Sequence, residues 1–360
     1  MKTRILLVDD SALVRQTLQK ELSKHEDFEI VGSAPDPYFA RDIILKQDVD
    51  IVILDIEMPR MDGLTFLDKL MKFKPTKVII LSSLAKEGSE VALEALKRGA
   101  LECLCKPGSM YSLGDLIVQL PDKIRQLKSV DLSKYLKSLS ARFDAEGFKD
   151  LANLSLTNKL VVIGASTGGV QALESIISNL PANFSPVVIT QHMPPGFTAS
   201  FAKRLNQLSK LEVKEAEDGD TLSPGKVLVA PGNIHLLITR RGANFVCELK
   251  NGPLVNGHRP SVNVTFKSAA KVAGVNTIGV LLTGMGSDGA EGLLEIKNSG
   301  GYTIVESEET AAVFGMPKAA IQLGAHCEIL ALGEIPKRLV EVISQQRPQP
   351  SPATGAQARG

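Results

Sequence analysis

From residue 4 to residue 122 the chain alternates short β-branched runs with segments whose apolar residues recur at helical spacing. The runs Arg4–Val8, Glu29–Ser33, Asp50–Leu54, Lys77–Leu81 and Leu101–Cys105 predict strands, and the stretches starting near Ser11, Pro37, Gly63 and Glu87 predict helices. Alternation of this kind calls for a parallel sheet covered by helices on both faces. From Pro121 to about Asn158 the strand signal stops. The segment is rich in lysine and serine, with a weak helical stripe of Leu132, Leu136, Leu139 and Phe143, and is expected to be a partly helical linker. A second alternating series starts at Lys159. Its strands are expected at Leu160–Gly164, Pro186–Thr190, Lys226–Val229, His235–Thr239, Asn244–Leu249, Thr277–Leu282 and Tyr302–Val305. Helices are expected near Gly168–Asn179, Thr198–Leu208, Ser261–Val272, Gly289–Asn298, Pro317–Leu323 and Glu334–Ser344, with a hairpin at Arg240–Ala243. The Pro- and Ser-containing end cannot build a core. The expected division is therefore an α/β domain over 1–122, a linker over 123–158, a mostly parallel, doubly wound α/β domain over 159–345 and a disordered tail over 346–360.

Composition narrows the function classes. With 44% hydrophobic and 22% charged residues in 360, the chain can build cores. Lysine plus arginine (41) nearly cancel aspartate plus glutamate (40), so no overall field recruits nucleic acid or anionic lipid. A DNA-binding output would need a basic recognition helix, and the second half offers mixed strands of balanced charge instead. The longest apolar runs, such as Leu160–Ala165 and Thr277–Leu282, fall far short of the ~18–20 residues of a spanning helix. Residues 1–8 lack a signal-peptide pattern, and the expected location is the cytoplasm. Cys103, Cys105, Cys247 and Cys327 have no zinc or redox spacing and are expected to be reduced core thiols.

Chemistry gathers at the strand ends. Asp9 and Asp10 follow the first strand, Asp55 closes the third, Ser82 and Ser83 follow the fourth, and Lys106-Pro107 follows the fifth. In an open parallel sheet these ends converge on one crevice. Any one of these aspartates alone would read as a turn residue or helix cap. Together, three carboxylates repel unless a hard cation such as Mg²⁺ is present, and a lysine and hydroxyls beside them suit a phosphoryl group on Asp55. The segments Val8-Asp9-Asp10-Ser11, Leu54–Gly63, Leu81-Ser82-Ser83 and Lys106-Pro107 resemble the receiver domain of two-component response regulators. The resemblance implies a flavodoxin-like sheet of order 2-1-3-4-5 and a histidine kinase that phosphorylates Asp55. It also implies Mg²⁺ held by Asp9 or Asp10 with Asp55 and the Glu57 carbonyl, phosphate sensing by Ser82 and Lys106, and a cis bond before Pro107. Cys103 stands where many receivers carry a mobile aromatic residue.

In the second half, Gly164-x-Ser166-x-Gly168-Gly169 joins a buried strand to a helix. The spacing is that of a nucleophile elbow; a phosphate-binding loop also fits glycines before a helix, but the G-x-G-x-x-G order fails at Ser166. His192 follows the next strand, and its position distinguishes it from His25, His235, His258 and His326. Asp288 follows a later strand at a glycine-rich turn, where its bland role would be a helix N-cap. Serine, histidine and aspartate at three strand ends fit an attacking hydroxyl, a general acid/base and an orienting carboxylate. The order Ser166, His192, Asp288 differs from the serine–acid–histidine order of lipase-type hydrolases. Residues 160–342 resemble the catalytic domain of the chemotaxis protein-glutamate methylesterases. The carrying segments are Gly164–Gly169, Gln191–Pro194, Ala230–Asn233 with His235, Asn256–Val262 and Thr283–Gly289. Asn263 stands where aspartate is expected in that family.

This resemblance implies a phosphorylation-activated serine hydrolase that releases methanol from glutamate methyl esters on the cytoplasmic segments of methyl-accepting chemoreceptors and deamidates receptor glutamines. Thr167 and Met285 are its oxyanion or substrate candidates. No metal is expected in the catalytic half, no nucleic-acid partner is expected, and the membrane is met only through receptors. A non-catalytic phosphoryl sink is the competing class, and it would tolerate any residue at positions 166, 192 and 288.

Overall fold

The structure is a computed structural model that describes residues 2–82, 86–106, 113–140 and 158–344. Five parallel strands, β1 (Thr3–Val8), β2 (Phe28–Ala34), β3 (Ile51–Asp55), β4 (Lys77–Ser82) and β5 (Glu102–Cys105), form the first sheet in the order β2-β1-β3-β4-β5. Around it lie α1 (Ala12–Leu22), α2 (Pro37–Lys46), α3 (Gly63–Phe73), α4 (Lys86–Lys97) and α5 (Leu113–Lys128). Local signals start three of these helices. Ser11, Asp36 and Asp62 each accept backbone amides of the first turn that would otherwise lack a partner.

The expected linker is more ordered at its start than its sequence suggests. Helix α5 runs through Pro121, and α6 (Leu132–Ser140) follows. An interior proline costs a helix about 3 kcal/mol. Leu116, Leu120, Ile124 and Leu127 are all buried on one face of α5, and at about 1.5–3 kcal/mol per buried side chain they outweigh that loss. In α6, Tyr135 is fully buried and donates its hydroxyl to the Ala100 carbonyl at 2.7 Å. Phe143, Ser83, Pro107 and the 346–360 tail lie outside the described residues, as do residues 141–157 of the expected linker.

The second half holds β6 (Leu160–Ala165), α7 (Gly169–Ile177), β7 (Val187–Gln191), α8 (Phe197–Leu208), β8 (Glu212–Glu215), β9 (Thr221–Leu222), β10 (Lys226–Val229), β11 (His235–Arg241) and β12 (Asn244–Lys250). It continues with α9 (Val262–Ala273), β13 (Thr277–Leu281), α10 (Ala290–Asn298), β14 (Tyr302–Glu306), α11 (Met316–Gln322), β15 (Glu328–Leu330) and α12 (Ile335–Ser344). Seven parallel strands run in the order β15-β14-β13-β6-β7-β10-β8, while β11 and β12 form the expected antiparallel hairpin, extended by β9. The chain winds one way from β6 to β7 and resumes on the other side of β6 with β13. That reversal opens a crevice between the loops after β6 and β13.

The two halves pack against each other. Helix α4 lies on α7 and α8, and apolar side chains of α4 such as Ala92, Leu93 and Leu96 join one cluster with Val170, Leu173 and Phe197. Gln171 donates to the Leu96 carbonyl at 3.0 Å, and Lys203 pairs with Glu90 at 3.0 Å.

Candidate active site and phosphoacceptor site

The first site sits where the first sheet reverses direction, between β1 and β3. Asp9 and Asp55 are buried and Asp10 is exposed, and their carboxylates offer oxygens within 4.8 Å of one another. Backbone geometry fixes two of the three: Ser11 donates its amide to Asp9 at 2.8 Å, and Glu57 donates its amide to Asp55 at 3.0 Å. The other oxygens, Asp9 Oδ2 and Asp55 Oδ2, pair with the Lys106 ammonium at 3.0 and 2.7 Å and have no further hydrogen-bond partner among the described residues. Ser82 is buried at the end of β4, and its carbonyl accepts the Lys106 amide.

Two buried carboxylate oxygens that share a single ammonium, next to a third carboxylate, fit a hard divalent cation. Asp9, Asp10 and Asp55 are the side chains that would hold it. Burial pushes the Asp55 carboxyl up to about 6, against the pull of Lys106. The folded state therefore favours protonated Asp55, so this contribution to stability is present below pH 3.8 and is lost as pH rises through 6. The loss is on the order of 3 kcal/mol. A divalent cation competes with that proton. Thermal melts with and without Mg²⁺ are expected to show a larger increment in Tm at pH 8 than at pH 5, and equal increments would count against metal binding at this carboxylate.

The second site lies in the crevice beside β6. At the end of β6 the chain passes Ser166 and Thr167, both buried, before α7 starts at Gly169. Gly168 turns the chain with φ +81°, and a Cβ there would meet Ala312 Cβ at 2.6 Å. The loop is pinned from several sides. Ser166 donates its amide to the Thr283 carbonyl at 3.0 Å, and its own carbonyl accepts from Gln191 Nε2 at 3.0 Å. Gly284 lies so near that a Cβ there would approach Ser166 Cβ to 2.9 Å.

His192, buried just past β7, points Nε2 at Asp288 Oδ2 at 2.9 Å. Asp288 is not the cap of α10: Gly289 holds that position, and it has no side chain to cap with. The Asp288 carboxylate instead gathers donors, from the Ser261 hydroxyl at 2.8 Å, the Val262 amide at 2.6 Å, and the Asn263 amide and Asn256 Nδ2 at 3.3 Å. Burial alone would raise this carboxyl, yet the His192, Ser261 and Val262 donors hold it below the ordinary carboxylate value. With Asp288 on Nε2, the other ring nitrogen, Nδ1, is buried and has no hydrogen-bond partner among the described residues. Ser166, Thr167 and His192 line one crevice.

One residue in this site, His258, was quoted in a motif but given no role by sequence. His258 stacks on His192 with centroids 3.7 Å apart and planes 8° apart. Burial, reinforced by His192, pushes its pKa down, so this ring is neutral. Asn263 uses its side-chain oxygen to accept the Gly292 amide at 2.8 Å, a contact between α9 and α10 rather than with the crevice. Met285 shares an apolar cluster with Tyr135, Leu136 and Ala312. The far wall of the crevice comes from the first half: Leu96, Leu101, Glu102, Cys103 and Tyr135 face Ser166 and His192 across it.

A family model described as "CheB methylesterase" matches residues 161–339, and one described as "Response regulator receiver domain" matches residues 5–117. A "Protein-glutamate methylesterase/protein-glutamine glutaminase 2" of Syntrophus aciditrophicus is 48% identical over 95% of this chain and 99% of its own length. The "Protein-glutamate methylesterase/protein-glutamine glutaminase" of Escherichia coli is 46% identical over 95% of this chain and 97% of its own length. Among solved structures, the Thermotoga maritima CheB methylesterase catalytic domain is 46% identical, covers 52% of this chain and 99% of its own, and superposes with a TM-score of 0.51.

Proposed function

The chain belongs to the CheB family of receiver-linked protein-glutamate methylesterases, and from that premise we propose that Ser166, His192 and Asp288 carry an acyl transfer from receptor glutamyl esters. The observation that supports it most is the buried His192–Asp288 pair beside Ser166, with one imidazole nitrogen engaged and the other open. Asp288 holds the Nε2–H tautomer, which leaves the Nδ1 lone pair to accept the Ser166 hydroxyl proton. Ser166 Oγ bonds to the γ-carbonyl carbon of the methyl ester, and the carbonyl π pair moves to oxygen. The Thr167 and Met285 backbone amides are the candidates to stabilise that oxyanion. Collapse breaks the C–OCH₃ bond, and His192 returns the proton to release methanol. Water then repeats the sequence and frees Ser166 and a glutamate carboxylate. On a glutamine side chain the same steps release ammonia.

Regulation follows from the wall across the crevice. Leu96, Leu101, Glu102 and Cys103 of the receiver and Tyr135 close the side by which a receptor helix would reach Ser166. We read this packing as the resting, occluded state. In the receiver, Asp55 accepts a phosphoryl group from a histidine kinase, Lys106 and Ser82 contact it, and a bound Mg²⁺ would offset charge on the transferring group. New charge at the β3–β4 edge acts on α4, the next described element after β4, which packs on α7 and α8. The expected result is a rise in methanol release from methylated receptor membranes on adding a small phosphodonor with Mg²⁺, within the 5–150-fold range of a typical coupling. The Asp55→Asn chain is expected to stay at the basal rate. Equal stimulation of wild type and Asp55→Asn would sink the phosphoacceptor assignment.

A further inference from the structure

Glu306 closes β14 with its side chain fully buried, and among the described residues it has no ion-pair partner. A carboxyl group is costly in such a place unless specific donors satisfy it. Its Oε2 accepts the Thr283 amide at 2.7 Å, and its Oε1 accepts the Thr310 hydroxyl at 3.1 Å. The first of these bonds matters because of what Thr283 holds. Past the end of β13 the backbone has left the regular ladder, and each of its polar groups is pinned separately. Leu282 donates to the Gly164 carbonyl at 2.9 Å, the Thr283 carbonyl accepts the Ser166 amide, and Gly284 donates to the Val313 carbonyl at 3.0 Å. The Thr283 hydroxyl donates to the Thr167 carbonyl at 2.9 Å and accepts the Val313 amide at 2.9 Å. Thr283 thus grips the nucleophile loop on both sides of Ser166, and Glu306 is the side chain that holds Thr283 from behind.

We propose that Glu306 is a positioning residue for the nucleophile: through the Thr283 amide it sets where Ser166 sits relative to His192. This rests on the reading of Ser166 as the attacking group. The physical lever is steep, since a misplacement of about 1 Å in a reacting group can cost on the order of 10²-fold in rate. A charge from the first half acts on Glu306: that of Lys134 of α6, which also donates to the Glu308 carbonyl. Burial pushes the Glu306 carboxyl up to about 7, so a glutamine there keeps the shape and matches the neutral form that prevails below that pH.

The test uses the full-length chain activated with phosphodonor and Mg²⁺, read by methanol release and by the rate at which a fluorophosphonate probe labels Ser166. Glu306→Ala is expected to lower kcat roughly 10–100-fold, with KM within twofold and labelling slowed in parallel, while Glu306→Gln recovers to within about threefold of wild type. Glu306→Asp keeps a carboxyl group but withdraws it by one methylene from Thr283, and is expected to fall between. It serves as the informative variant where the alanine chain does not fold. A folded Glu306→Ala or Glu306→Asp chain with wild-type kcat and labelling overturns the proposal. Should Ser166→Ala retain methanol release, the underlying nucleophile assignment fails instead, and labelling by the probe separates the two outcomes.

Discussion

Ser166→Ala is expected to bring phosphodonor-stimulated methanol release down by roughly 10⁵–10⁶-fold, the scale seen when the nucleophile of a serine hydrolase is removed alone. The variant should fold normally. Ser166 Oγ supports no hydrogen bond among those pinning the loop; the amide and carbonyl of residue 166 do that work, and alanine retains both. The melting temperature is therefore expected to stay close to that of wild type, and phosphorylation of Asp55 should be unaffected because it lies in the other sheet. Residual methanol release within tenfold of wild type would assign the nucleophile elsewhere. A variant that also fails to accept a phosphoryl group would instead report a folding defect.

Asp288→Asn is expected to cost about four orders of magnitude in kcat with little change in KM. Asparagine preserves the shape, but its amide nitrogen would confront the donors that now converge on the carboxylate: the Val262 and Asn263 amides, the Ser261 hydroxyl and His192 Nε2. Only one end of the new side chain can accept. The imidazole then loses the partner that keeps its proton on Nε2, and Nδ1 ceases to be the base. A loss smaller than tenfold, measured as methanol release at saturating substrate, would show that His192 needs no orienting carboxylate. Replacing both Ser166 and Asp288 should cost scarcely more than replacing Ser166 alone, because the two act on a single event.

Much of this organisation was legible because the chemistry sits at strand ends. Strands are announced by β-branched runs, helices by caps such as Ser11, Asp62 and Ser261, and the residues between them must meet at the sheet edge. Asp9, Asp55, Lys106, Ser166, His192 and Asp288 were found in that way. What sequence did not reveal depends on contacts between distant segments. Strand β8 reads Glu-Val-Lys-Glu and pairs only with β10 at the sheet edge, so it carries little hydrophobic signature. Helix α5 contains a proline, a local stop sign overridden by burial. Tyr135 reads as a single aromatic in a lysine-rich stretch until its hydroxyl meets the Ala100 carbonyl. His258, Gln191 and Glu306 each do their work through one partner far away along the chain, and no periodicity marks such a pairing.

The crowd of donors around Asp288 also sets the proton stoichiometry of the reaction. A carboxylate stabilised by two backbone amides and a hydroxyl, and held below its ordinary pKa, is a poor competitor for the imidazole's second proton. In the proposed mechanism, the positive charge that forms when His192 takes the serine proton would stay on the ring instead of passing to Asp288. On that reading each half of the cycle would move a single proton, back and forth between His192 Nδ1 and the oxygen that is attacking or leaving. The carboxylate acts as a fixed counter-charge, set in place by the fold before any substrate arrives.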